Sequence, residues 1–599
     1  MMSSTAKLHS NAVTRGPLGR AGSHARLVWL TGIGVVGLTV WALRPHAIAV
    51  TPDAPVVWAC GESLKVRPEA PPQERNSVWS ASDKQVRLYS GRQEYVGFQV
   101  IVRGGNTPLK NVQVKLSAPR SASGETLDTD NIDLFQQHYL KVTVPSQWEV
   151  DAPVPEVKVG EYPVQMVPLR GPAASFDVPA GRNQPVWVDV YVPETQAPGD
   201  YVAEATVTAA GKPLATLPVR LTVWNFTLPP ETHLKTMVPT GIEKLRWGFG
   251  LRSDDEEALR SLEDRFFQMA HQHRINFQPS EEDDVVSEWG GRYRRYLDGS
   301  AYKDRACAGV GPNLLAVSPG GEEQSEITRS IQRTMAWWKA QPKVIRDRTR
   351  LVCYVYDEPQ DDEDFAAVAS RSQWIRSEVG KELPLFLTTT KPGRVAPGTI
   401  DAWGELPVPE VEKAKARGEK IWATNHGYAG GPFVDTPGYA GRSQGWMAWK
   451  MGLDAWHFWD GCYWVDRQNL RGPDGKRIPH KVVNADPKRY LLDTWNDPLT
   501  FDQKRNPRLK EWIRLNGDGV LFYPGAPAGL QEPLASFTLK SLRRGFQDYE
   551  YLWLLQQKGK SADDLVSKLT PRPNEWSHDP DSWDQARIEL GRRLEAVGR

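Results

Sequence analysis

Cysteine is scarce: Cys60, Cys307, Cys353 and Cys462 are the four in 599 residues. Their spacing matches neither a disulfide framework nor a zinc site, and a chain of this length needs no staples to hold a core. Cys353, in the middle of an apolar run, reads as a buried free thiol. Excess charge of one sign is lacking too. Lys and Arg number 74 against 73 Asp and Glu, a net charge of +1, which leaves no basic field for nucleic acid. Metal spacing is missing: His271-x-His273 has no third ligand, and the acidic run 281–284 lacks the spacing of a calcium loop. No metal and no cofactor is therefore expected. Gly32-Ile-Gly-Val-Val-Gly37 fits the dinucleotide fingerprint, but no strand–turn–helix unit surrounds it. Gly441-Arg-Ser-Gln-Gly445 has the form of a nucleophile elbow, yet Pro437-Gly438-Tyr439 stands where the required strand should be.

What is present begins with an export signal. Lys7, Arg15, Arg20 and Arg26 precede an uncharged run over 27–43, and Ala47-Ile48-Ala49 suits signal peptidase. Residues 1–50 read as a signal peptide, with an uncleaved N-terminal anchor as the alternative because Arg44 and Pro45 separate the run from the cleavage site. The body is expected to be exported, to the periplasm, the cell surface or the medium. Membrane contact is expected only through that anchor.

The rest divides at Leu228-Pro-Pro-Glu-Thr232, where two prolines end a strand and stiffen a linker. Over 51–228 short β-branched and aromatic runs alternate with turns such as Pro198-Gly199-Asp200. Tyr201, Ala203, Ala205 and Val207 show the period-2 pattern of a half-buried strand, and an all-β sandwich is predicted. Over 233–560 helices and strands alternate. Ser253-x-x-Glu256 reads as a capping box, and strands are predicted at 275–277, 351–356, 385–389, 421–424, 455–459 and 519–523. Repeated αβ units of this length fit a (β/α)8 TIM-like barrel better than an open sheet. Residues 561–599 are expected to form a helical tail packed on the outside. The fold class is thus multidomain: an N-terminal all-β sandwich followed by an α/β barrel.

Leu351-Val-Cys-Tyr-Val-Tyr-Asp-Glu-Pro359 is the stretch with chemistry. Six apolar or aromatic residues read as a strand buried on both faces, ending in two carboxylates and a proline. In a barrel, active sites form at the C-terminal ends of strands. Other strand ends there carry Asn425-His426, Trp459-Asp460, Tyr463-Trp464 and Tyr523, and aromatic faces stack on sugar rings. The 24 Trp and 18 Tyr could serve that purpose, but taken alone they favour a large core. Adjacent carboxylates do not easily flank a scissile bond as a retaining pair must. A better division has Glu358 protonate the leaving oxygen while Asp357 orients a substrate acetamido group acting as nucleophile. Their mutual repulsion helps keep the acid protonated. The bland alternative is that Asp-Glu-Pro caps the following helix.

Tyr354-Val-Tyr-Asp-Glu-Pro359, Gly517-Asp-Gly-Val-Leu-Phe-Tyr-Pro-Gly525 and Leu542-Arg-Arg-Gly-Phe-Gln-Asp-Tyr-Glu-Tyr-Leu552 are signatures of one family. So are Arg442 and Trp446 ahead of Trp459-Asp460, Val192-Pro-x4-Pro-Gly-Asp-Tyr201 and Trp224-Asn-Phe-Thr-Leu-Pro229. The chain resembles glycoside hydrolase family 123, with the broader set called domain of unknown function 4091. That resemblance implies a sandwich followed by a barrel, a glycan substrate, and β-N-acetylgalactosaminidase activity by substrate-assisted retention. It assigns the acetamido-orienting role to Asp357 and the general acid/base role to Glu358. The strand ends and these motifs together offer Asn425, Arg442, Trp446, Trp459, Asp460, Tyr463, Trp464 and Tyr523 as candidate substrate contacts. Asp548 and Glu550 could instead pair Arg543 or Arg544 structurally. Ala455-Trp-His-Phe-Trp459 departs from the family's glycine-led pattern, which points to a reshaped sugar pocket. Two rivals stand beside this reading. One is a two-carboxylate glycosidase with Glu358 as acid/base and Asp460 as nucleophile on a sugar without an acetamido group. The other is an inactive glycan-binding surface protein.

Overall fold

The computed structural model describes residues 54–147, 157–279, 285–425, 427–466, 483, 486–502 and 514–598. Residues 1–50, the acidic run 281–284 and His426 lie outside the described residues. The N-terminal region is β-rich. One sheet orders Val56–Cys60, Glu94–Arg103, Asn183–Val192, Ile132–Val142 and Gly160–Pro168, all antiparallel. The second is built on Gln85–Arg92, Lys212–Thr227, Gly199–Ala209 and Leu109–Leu116, and its Gln85–Arg92 and Lys212–Thr227 strands run parallel. Phe98, Val100, Val186, Val188, Ala203, Ala205, Val219 and Leu221, drawn from both sheets, belong to one apolar cluster. The alternation read at Tyr201, Ala203, Ala205 and Val207 is present, with Val202 turned outward. Glu94–Arg103 is instead buried along its whole length: Arg587 and Arg543 cover its start at Glu94 and Tyr95, and Gln99 and Arg103 bond to carbonyls of residues 61–70.

From Lys235 the chain forms eight parallel strands: β1 Lys235–Thr240, β2 Phe277–Pro279, β3 Leu314–Val317, β4 Arg350–Asp357, β5 Leu385–Thr388, β6 Ala402–Gly404, β7 Lys420–Thr424 and β8 Ala455–His457. They pair in sequence order around a ring, with β1 joined to both β2 and β8. The barrel is nearly closed. Between β2 and β3, the side-chain amide of Gln278 donates to the Ala316 carbonyl and accepts from the Ala316 N–H, replacing the missing strand ladder. The interior is filled by Met237, Leu314, Ala316, Val352, Phe386, Ala402, Trp422 and Ala455, a mixture of large and small residues from alternate positions. Phe386 and Trp422 stack at 3.9 Å between centroids.

Three differences from the sequence reading matter. β1, β3 and β6 lie outside the strands expected from the sequence. The predicted strand at 519–523 is no barrel strand. Phe522–Pro524 pairs with Pro533–Ala535 in a separate ribbon. The capping box at Ser253 does not form, since the helix begins at Glu256 behind Asp255, which binds Arg252.

The family-like motif in Phe537–Gln557 is structural, and its partners come from far away in sequence. Asp189 of the β-rich region receives Lys540 at 2.6 Å and Arg543 at 2.5 Å. Arg544 pairs with Glu62, and Glu550 pairs with His233 rather than with a neighbouring arginine. Asp548 binds Arg442 at 2.7 Å and also Arg587, which in turn binds Glu94. The tail helix Pro580–Gly598 is therefore clamped into the body, with Trp583 buried and Asp584 on Arg442. Gly441-Arg-Ser-Gln-Gly445 lies inside the Ala440–Met451 helix. A Cβ at Gly445 would stand 2.1 Å from the Gly545 carbonyl oxygen, so glycines let the two helices cross closely. The four cysteines are free and buried. No helix among the described residues is long and apolar enough to cross a membrane.

Candidate active site

The site is set by an irregularity in β4. Tyr354 stands beside Phe386 of β5, but the next partner of the β5 residue Leu387 is Tyr356, so Val355 is an extra, bulged residue. Side chains alternate along a strand, and one inserted residue reverses their facing. Without the bulge Asp357 would face outward like Leu387. With it, Asp357 stands opposite Thr388 and faces the barrel mouth, while Tyr356 turns out to Asp364. The Tyr354 hydroxyl donates to Asp357 Oδ1 at 2.5 Å, and the Thr388 hydroxyl reaches the same oxygen at 3.1 Å. Burial first, and then the Asp357 charge, push Tyr354 well above the ordinary phenol range. It therefore stays a donor.

Glu358 follows with φ of +44°, a left-handed conformation that costs a non-glycine residue about 1–3 kcal/mol and is concentrated at functional sites. Its N–H donates to Thr388 Oγ1 at 3.2 Å, so one threonine holds both acidic residues. Neither caps the next helix. Asp361 does that, accepting from Glu363 and Asp364 in a capping box. Asp357 and Glu358 are exposed at the mouth. Glu358 nonetheless has its carboxyl raised, first by the walls that take water from it and second by the Asp357 charge.

A third carboxylate, missed in the sequence, completes the group. Glu405 directly follows β6, also left-handed at φ +62°. It is half-buried, its side chain is hydrogen-bonded to Glu358, and desolvation with the charges of Glu358 and Asp357 lifts it to about 8. A signal was present in the sequence: Ala402-Trp-Gly-Glu-Leu-Pro407 repeats the pattern of a strand ended by an acid and then a proline. Gly404 is required here, because a Cβ would stand 2.5 Å from Thr424 Oγ1 and 2.9 Å from Thr388 Cγ2. Below the group lie His457 and Thr424, both buried, with His457 Nδ1 and Thr424 Oγ1 unpartnered among the described residues. Desolvation lowers His457 to about 4 against the pull of Asp357, leaving it neutral near pH 7.

The other predicted contacts separate into two sets. Asn425, left-handed at the end of β7, donates its N–H to the His457 carbonyl and accepts from the Trp459 N–H. Trp459 is half-buried and gives its indole N–H to Asp518 at 3.2 Å. Asp460 is buried and tied to Lys244, which neutralises the carboxylate offered as an alternative nucleophile. Tyr463 packs on Trp459 at 5.0 Å but is itself buried. These residues follow β7 and β8, at the same end of the barrel as Asp357 and Glu358. The second set is not at the mouth. Arg442 and Trp446 are buried between helices, both held by Asp548. Trp464 packs on Phe249 and Phe266 and donates to the Phe522 carbonyl, and Tyr523 is buried in the outlying ribbon. Aromatic and guanidinium side chains suit cores as well as ligands, and sequence position alone does not separate the uses. No group of His, Cys, Asp or Glu among the described residues is arranged to hold a metal.

Asp518 gives a stability prediction. Burial raises it to about 7 even though Trp459 and the Gly519 N–H donate to it. The unfolded chain releases this proton near pH ~4, so between those values the native state binds more protons and stability falls as pH rises. Asp518→Asn keeps an acceptor for the indole. The thermal midpoint should be unchanged at about pH 4 and raised at about pH 8, by a few kcal/mol at most. An equal midpoint at both pH values would remove Asp518 as a titrating group.

Comparison with known proteins follows the same outline. Residues 72–209 match the model of the glycoside hydrolase 123 N-terminal domain. A family 123 glycoside hydrolase from Clostridium perfringens superposes with a TM-score of 0.58 at 12% identity, covering 91% of this chain and 98% of that one. A Bacteroides ovatus GH5 xyloglucanase aligns over 67% of this chain and 97% of its own at 10% identity, but its TM-score of 0.22 is too low to bear on the fold. No curated protein matches.

Proposed function

From this resemblance to glycoside hydrolase family 123, we propose that the protein is an exported glycoside hydrolase removing a terminal β-linked N-acetylhexosamine, of the N-acetylgalactosamine type, from a glycan. The reading rests on one observation: the bulge at Val355 and the left-handed Glu358 bring two consecutive carboxylates to the barrel mouth on a single threonine. Side by side, they approach a substrate from one face. Glu358, raised towards neutrality, serves as the acid that protonates the glycosidic oxygen. Asp357, held by Tyr354 and Thr388, orients the 2-acetamido group and stabilises the positive charge of the oxazolinium formed when its carbonyl attacks C1. Trp459, half-buried after β8, offers an aromatic face to the sugar. The β-rich region, with its two sheets read as a sandwich, holds the barrel helices through the Asp189, Glu62 and Glu94 ion pairs.

Aryl β-glycosides of N-acetylgalactosamine, N-acetylglucosamine, galactose and glucose test this directly. Turnover is expected with the acetamido sugars only, together with inhibition by a thiazoline analogue of the oxazolinium. Equal turnover of the plain galactoside would sink the substrate-assisted reading.

A further inference from the structure

We propose that Glu358 and Glu405 share a single proton and work as one acid–base unit, with Glu405 the positioning residue that keeps the proton at hand. The chemical role given to this unit rests on the glycosidase reading of the site.

Geometry carries the inference. β4 and β6 are not neighbours, for β5 lies between them. Two left-handed residues, one at each strand end, nevertheless bring the side chains of Glu358 and Glu405 into hydrogen-bond contact. Two ionised carboxylates have only acceptors, so such a contact requires that one keep its proton. Among the described residues no Lys or Arg acts on either carboxyl. Asp357 and Tyr354 face the pair from β4, and Thr388 from β5. Tyr428, in the segment after β7, feels the Glu405 charge while its hydroxyl is occupied by the Leu406 carbonyl. His457 faces Asp357 from β8 and is neutral. On the floor beneath, His457 Nδ1 and Thr424 Oγ1 lack partners among the described residues, leaving polar atoms for a ligand at this end of the barrel.

The cycle balances without a further reactant. Glu358 passes the shared proton to the glycosidic oxygen as the C1–O bond breaks and the acetamido carbonyl oxygen bonds to C1. The pair is then doubly ionised beside Asp357, an arrangement that like-charge repulsion makes strongly basic. Water attacks C1, the bond from C1 to the acetamido oxygen breaks, and the water proton goes to Glu358. The shared proton is restored.

Glu405→Gln keeps the size and a donor but holds no titratable proton, and Glu405→Asp keeps the carboxyl. The infrared difference spectrum, wild type minus E405Q near pH ~7, should show a protonated-carboxyl band. In the pH profile of kcat/KM on an aryl N-acetylhexosaminide, the alkaline limb should move down by about one pH unit or more in E405Q, since one like charge and the shared proton are gone. E405D should recover part of that displacement. A purely structural role would lower the rate at every pH and leave the limb in place. Absence of the infrared band, or an unmoved limb in a folded E405Q, overturns the proposal. Should E405Q not fold, wild type minus E405D decides by a displaced band, its absence counting against the shared proton. If the wild type turns over none of the glycosides, the glycosidase reading falls, and the infrared band still decides whether the proton is shared.

Discussion

Glu358→Gln is expected to abolish hydrolysis of glycosides with poor leaving groups, by about 10²–10⁴-fold, the range removed with a general acid. The glutamine fills the same space and its N–H to Thr388 is a backbone contact that survives. What is lost is the proton. The deficit should therefore shrink as the leaving group improves, and a dinitrophenyl glycoside should be cleaved far better than an alkyl one. Asp357→Asn should cost about 10²-fold or more, comparable to losing one transition-state electrostatic contact. Its amide oxygen can still accept from Tyr354 and Thr388, so the site should stay assembled. It cannot offer a negative charge to the oxazolinium. This loss should persist with activated leaving groups, which separates the two roles. Because the residues act on one transition state, the double variant should be only slightly worse than the poorer single one. A silent Asp357→Asn would remove substrate assistance whatever the fold.

The largest effect on stability is expected at Asp189. It is buried, accepts from Lys540, Arg543 and the Trp187 indole, and binds the β-rich region to the Phe537–Gln557 helix. Burial by itself would raise its carboxyl, but the two cations outweigh that and hold it far below the usual range. Asp189→Ala leaves two buried cations without a counter-charge and should cost about 3–5 kcal/mol, read as a clear fall in the thermal midpoint. Replacing Asp189, Lys540 and Arg543 together by apolar residues of similar size should recover much of the loss, since the pair itself has a large desolvation cost. A triple variant as unstable as Asp189→Ala would assign the effect to packing instead. The sign with pH follows from the lowered value. The contribution is complete above about pH 4, where the unfolded carboxyl is ionised, and is lost only as pH falls towards the native value.

Period and punctuation decided a large part of this protein before any contact was known. The alternation at Tyr201–Val207, the prolines at 229 and 230, and the recurring αβ grammar determined a β-rich region followed by a barrel. The run from Leu351 to Pro359 determined which strand end carries the acids, because six apolar residues before two charges can hardly be surface. Tertiary structure decided the rest, for reasons of distance. Whether Asp357 faces the mouth depends on one bulged residue, and a bulge is a property of two paired strands, invisible in one. Glu405 stayed hidden because β6 carries one large apolar residue, Trp403, and is held in place by its neighbours β5 and β7. Arg442, Trp446 and Trp464 have side chains that suit either a sugar or a core. Only the partners brought by Asp548 and Phe522, about a hundred and about sixty residues away in the chain, place them in the core. Local sequence determines what a segment prefers to be. Which side chains meet, and hence which carboxylates share a proton, is settled by the closing of the barrel.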